Sequence, residues 1–165
     1  MDLMDINSDE LYFDQALPES VEDLIRRASE AYSEPEAEQM LMQAYRILPD
    51  HLSVHVALYR YYYYKHRLPE ALTIAEITIE ASARKLGFIK CWREATLDGL
   101  KADESNMAMV RYYLLALKGA GFICLRLGRH SEGILRLQKV LEMDAQDRLG
   151  AGAILEVIKH DQQED

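Results

Sequence analysis

The stretch 52-LSVHVALYRYYYYKHRLPEALTIAEITIEASARK-85 divides into two apolar helical patterns around one turn. Residues 52–64 carry the first, and His66 and Arg67 fall where the chain reverses. Pro69 opens the second, at a helical position where a missing N–H costs nothing. Leu72, Ile74, Ala75, Ile77, Thr78, Ile79 and Ala81 then give that helix a broad apolar face. The unit is 34 residues long; one of equal length, 18–51, precedes it directly, and a third spans 114–147. Self-similarity at that period marks a helical-repeat scaffold, and such scaffolds bind other chains more than they carry out chemistry.

The third unit has the same plan. Its first helix ends near Leu127, Gly128 supplies a left-handed turn, and Ser131 is placed to cap the next helix. Ile134, Leu135, Leu137, Val140, Leu141 and Met143 follow at helical spacing. In the first unit the second helix, 35–48, stops at Pro49. Residues 86–113 interrupt the repeats. They predict an end to the fourth helix at Gly87, a short segment around Trp92, and a cap at 103–106 for a long fifth helix from about Met107 to Leu127. A last helix over 150–159, with Ile154, Leu155, Val157 and Ile158 on one side, would cover the final repeat, as a solenoid requires.

On these residues the chain resembles the tetratricopeptide repeat family. Leu117, Ala120, Gly121, Cys124, Gly128, Gly133, Leu137 and Val140 occupy consensus-type positions in the third unit. Leu58, Tyr62, Ala71, Ala75 and Thr78 do so in the second, and Leu24, Ala28, Ala37, Leu41, Ala44 and Pro49 in the first. Ala37, Ala71 and Gly133 stand where two helices approach most nearly. Ile25 and Tyr59 depart from the small residue the family prefers, and Ala145 replaces its closing proline. The resemblance implies an all-α, right-handed α-α superhelix of three helix pairs, with an insertion at 86–113 and a capping helix within 148–165. The repeat domain is then 18–165, preceded by a leading arm, 1–17.

The resemblance also implies where a partner sits, because the first helices of the family line a concave surface. The matching positions are Ser53, Val56, Arg60, Tyr63 and Tyr64, with Leu115, Lys118, Phe122, Leu125 and Arg126. Arg60, Tyr63, Tyr64, Lys118, Phe122 and Arg126 form the expected partner-binding groove, and aromatic and Arg side chains are the usual anchors of binding energy. An acidic and apolar peptide segment of another protein suits it. Tyr63 and Tyr64 are equally open to packing on the first unit, and Lys118 and Arg126 to lying solvated over apolar surface. The family's carboxylate-gripping cluster of Lys and Asn is absent, since Glu22, Arg26 and Ala57 stand in its place.

The net charge of −9 is unevenly distributed. Residues 1–40 hold 12 acids and 2 bases, whereas 41–165 hold 16 acids and 17 bases. Phosphate backbones would be repelled, so nucleic acid is excluded as a direct partner. The acidic arm carries Leu3, Met4, Ile6, Leu11, Tyr12 and Phe13. Its first reading is a frayed, solvated tail; the alternative is that it complements the cationic groove and occupies it, or that of a neighbouring subunit, until a partner displaces it. Its first residues lack the apolar run of a secretory signal, and no uninterrupted apolar stretch reaches membrane-spanning length. Cys91 and Cys124 are too few for a disulfide framework and read as reduced thiols, which together with the missing signal implies a cytoplasmic protein.

Motifs for chemistry fail on inspection. Gly128 and Gly133 have phosphate-loop spacing, but Ile134 and Leu135 stand where Lys and Ser/Thr are needed. Gly119 and Gly121 open a dinucleotide-like pattern whose third glycine is Cys124. His51 and His55 are spaced for one metal but lack a third ligand. Cys91, beside Lys90, Trp92 and Arg93, is a candidate redox-sensitive thiol without a local histidine. No catalytic set, metal site or cofactor is expected. The leading function is a non-enzymatic adaptor or chaperone-like module. The alternatives are a chaperone like those of bacterial secretion translocators, or a structural subunit forming a homodimer through its arm or fifth helix.

Overall fold

The computed structural model describes residues 16–161, and all the regular structure among them is helical. Seven α-helices follow in order: α1 (Glu19–Glu30), α2 (Glu36–Ile47), α3 (Leu52–Tyr64), α4 (Leu68–Lys85), α5 (Met107–Arg126), α6 (His130–Met143) and α7 (Ala151–Asp161). A single 3-10 turn, Trp92–Glu94, lies between α4 and α5. Residues 1–15, and with them nearly all of the expected arm, lie outside the described residues.

Local chemistry accounts for the helix ends. Glu19 and Glu22 occupy the first turn of α1, and Glu36 and Glu38 that of α2, where the macrodipole favours anions. His51 caps α3, its Nδ1 accepting from the Ser53 N–H at 3.2 Å. Three helices close on a left-handed residue with the same six-to-one bond. Arg67 N donates to Tyr62 O at 2.9 Å across His66, Phe88 N to Ala83 O at 2.9 Å across Gly87, and Arg129 N to Cys124 O at 2.8 Å across Gly128. The Gly128 closure leads straight into α6. Ser131 therefore sits exposed inside the first turn and does not cap it, because the N-cap position falls on Arg129.

The main packing is between helices adjacent in the chain, from α1 on α2 through to α6 on α7. It is most extensive where α5 lies against α4 and α6, and least extensive between α2 and α3. Where α5 meets α6 the backbones nearly touch: a Cβ on Gly133 would come within 2.8 Å of the Gly121 carbonyl oxygen and of the Leu125 side chain. Residues 86–106 lie across this region, burying Phe88, Trp92, Ala95 and Leu100. The turn before α5 is tied by Asp103, whose carboxylate accepts from Ser105 N at 2.8 Å and Asn106 N at 3.2 Å. By length and composition α5 is apolar enough to cross a membrane, but most of it is buried inside the protein.

Candidate functional site

α3 sorts its tyrosines by helical angle. Tyr61 and Tyr62 turn toward the first helix pair. Tyr61 meets Tyr32 edge-on at 5.8 Å, and Lys65 Nζ lies 4.5 Å from the Tyr32 ring centre. The Tyr62 hydroxyl donates to Glu38 at 3.0 Å, while Arg67 pairs with Glu38 at 2.6 Å and with Glu70 at 2.7 Å. Burial and the Glu38 hydrogen bond push the Tyr62 hydroxyl up to about 12, and Arg67 holds Glu70 below the usual carboxylate range. These contacts fasten α2 to the α3–α4 turn.

The remaining rings grade from core to surface. Tyr59 is fully buried and stacks on Tyr63 at 6.0 Å; Tyr63 is half-buried and meets Tyr64 edge-on at 6.0 Å. Tyr64 is 58% exposed, and Arg60 on the same helix is half-buried. On α5, Phe122 is half-buried and Arg126 exposed. The two helices are joined near their N-terminal ends, where the Tyr112 hydroxyl donates to the Leu52 carbonyl at 3.3 Å.

Lys118 departs from both readings of it. At 7% exposure it is neither an accessible contact nor a solvated charge, because mid-helix α5 is covered by its neighbours. The histidines do not converge on a metal either. His51 is engaged as a cap, and His55 Nε2 lies 2.6 Å from the Pro49 carbonyl. Among the described residues no cluster of three potential ligands occurs. Cys91 and Cys124 are free thiols, the first exposed and the second buried.

Sequence reasoning missed a buried polar network centred on Arg136. Its guanidinium pairs with Glu76 of α4 and with Glu132 at 2.6 Å, donates to Cys124 Sγ at 3.3 Å, and lies 5.0 Å from the centre of the Trp92 ring. Burial opposes the Arg136 charge, but its hydrogen bond to Glu132 and the field of Glu76 favour it, and its pKa is raised overall. Burial pushes Glu76 and the Cys124 thiol up, while Arg136 holds Glu132 down. One signal was legible: Gly133, Arg136, Leu137 and Val140 share one helical stripe, so the arginine sits among apolar positions. Its partner on α4, 60 residues away, carries no such mark.

No family model matches the chain, and no solved structure matches it. It is 43% identical over 159 residues to a protein of Azotobacter chroococcum mcd 1, described as an uncharacterized 19.8 kDa protein in the nifW 5′ region. The match covers 96% of this chain and 89% of that relative. The chain therefore belongs to the family of that Azotobacter chroococcum protein.

Proposed function

We propose that the chain is a tetratricopeptide-like, non-enzymatic module of the cytoplasm that holds a peptide segment of a partner protein along the face shared by α3 and α5. The observation that carries this reading is Tyr64, a large aromatic ring 58% exposed, continuous with half-buried Tyr63. Arg60 lies on the same helix, and Phe122 and Arg126 lie on α5. Exposed aromatic and guanidinium groups on rigid helices bind with little loss of conformational freedom. The right-handed superhelix is supported by packing between consecutive helices and by the close Gly121 and Gly133 approach at a consensus position. The occupant is an acidic segment with apolar anchors, matched to two guanidinium groups and three rings.

The test is selection of peptides from a random displayed library on the wild-type protein, followed by fluorescence anisotropy. The comparison is an Arg60→Glu, Tyr64→Ala, Phe122→Ala variant whose circular dichroism matches wild type. Lys118 is left intact because it is buried. Selected peptides rich in Asp, Glu, Leu and Phe should weaken by about thirtyfold or more, the loss of a single strong anchor. Peptides without that composition, or with equal affinity for both proteins, would overturn the reading.

A further inference from the structure

Away from the α3–α5 face, a concavity of about 470 Å³ opens between α4 and the segment that follows it. That volume suits a small organic molecule. Ile79, Phe88 and Trp92 give it apolar and aromatic walls, and Tyr113 of α5 lines it. Tyr113 is fully buried, and its hydroxyl has no hydrogen-bond partner among the described residues. A buried hydroxyl without a partner is uncommon in a folded protein.

Two acids and two bases line the concavity, and three of these four charges are paired with another side chain. Glu76 is paired with Arg136, Arg84 with Asp50 at 2.7 Å, and Lys90 with Glu94 at 3.9 Å. Glu80 lies one turn beyond Glu76 on the same face of α4 and forms no salt bridge among the described residues. One carboxylate without an ion pair and one unsatisfied neutral hydroxyl therefore accompany an aromatic wall. An ammonium answers both, being drawn by the carboxylate and donating an N–H to the hydroxyl oxygen.

The geometry points to a binding site for a small primary amine with an aromatic-sized apolar body, its ring against Phe88 and Ile79 and its ammonium served by Glu80 and Tyr113. The site is separate from the peptide-binding face and stands without it. The chain also supplies its own reporters: Trp92 is the sole tryptophan, and Cys91, which lines the same concavity, is exposed while Cys124 is buried.

The experiment titrates the full chain with phenethylamine, phenylacetate and 2-phenylethanol, following Trp92 fluorescence and the rate of Cys91 alkylation by iodoacetamide. Phenethylamine should change the fluorescence saturably and slow alkylation, and phenylacetate should do neither. Tyr113→Phe should weaken the amine by about tenfold, the loss of a charge-assisted hydrogen bond, and Glu80→Gln by about threefold, as for a partly exposed ion pair. Should Tyr113→Phe fail to fold, the exposed Glu80→Gln substitution decides alone. The inference is overturned if the amine does not saturate, if phenylacetate or the alcohol binds as well, if Cys91 stays equally reactive, or if Glu80→Gln binds like wild type.

Discussion

Removing the cation of the Arg136 network should be less damaging than removing its anions. The side chain of Arg136 is 4% exposed, whereas those of Glu76 and Glu132 are 36% and 37% exposed. Breaking a buried ion pair costs roughly 3–5 kcal/mol when the surviving charge stays buried. In Arg136→Met the survivors are two carboxylates that already reach water and can turn toward it. The methionine refills the space against Trp92, so the loss falls to about 2 kcal/mol, including about 1 kcal/mol of cation–π attraction. In Glu76→Gln with Glu132→Gln the guanidinium remains buried without an anion, and the loss approaches about 4 kcal/mol. Urea unfolding read by Trp92 fluorescence and by far-ultraviolet circular dichroism measures both. With a denaturant slope of about 2 kcal/mol per molar, the midpoint should fall by about 1 M and about 2 M respectively. Combining all three substitutions should recover much of the loss, because a fully apolar or neutral site has no charge to desolvate. The reasoning is refuted if Arg136→Met is the more damaging change, or if the triple variant is worse than the double one.

Gly133→Ala should lower the melting temperature despite the better helix propensity of alanine. The new Cβ meets backbone oxygen at 2.8 Å and cannot rotate clear, so overpacking of about 1–3 kcal/mol exceeds the gain of about 1 kcal/mol. Gly121→Ala, whose closest neighbour is the Leu137 side chain at 3.1 Å, should be nearer neutral; a more stable Gly133→Ala would contradict the close approach. Tyr62 titrates at about 12 in the folded chain against an ordinary value of 10.0, so the folded state keeps this proton longer. Its contribution is complete below pH 10 and is lost as pH rises toward 12, at most about 2.7 kcal/mol. Tyr62→Phe should therefore lose stability less steeply over that window, and identical slopes would count against a raised Tyr62 value, whose first cause is burial. In native-state hydrogen exchange, amides of α1 and α2 should exchange faster than those of α4 and α5, since the α2–α3 seam is the least extensive. Uniform protection would show that the chain opens as one unit.

The helices were legible because each signal for them is local. Pro69 starts α4, and Gly87 and Gly128 close α4 and α5 with positive φ; Asp103 ties the turn ahead of α5, whose N-cap Asn106 makes no side-chain capping bond. His66 shows the limit of this kind of reading. Its position marks a turn, but the left-handed conformation it adopts is one that composition assigns to glycine, and a bond from Arg67 to Tyr62 holds it there. Ser131 shows another limit. A serine at the start of an apolar pattern is a fair cap signal, yet the tight closure at Gly128 moves the helix start forward.

The candidate site was less legible because a helical pattern resolves angle around the axis but not depth along it. Arg111, Leu115, Lys118, Phe122 and Arg126 fall on one stripe of α5. Arg111 and Arg126, at its two ends, are exposed; Leu115 and Lys118, toward its middle, are buried, and Phe122 is intermediate. α4 and α6 pack on α5 and bury most of it, from Val110 to Cys124, but not Arg111 or Arg126. Lys118 is thus buried where an accessible groove contact was expected. Arg136 follows the same logic, since an apolar stripe announces its burial but only the packing of α4 on α5 and of α5 on α6 brings Glu76 to it. A charged residue midway along a long apolar helix should accordingly be expected in an internal network, and a similar residue within a turn of either end at a surface. On that criterion Arg126, in the last turn of α5, is exposed, and Arg60, near the C-terminal end of α3, is half-buried.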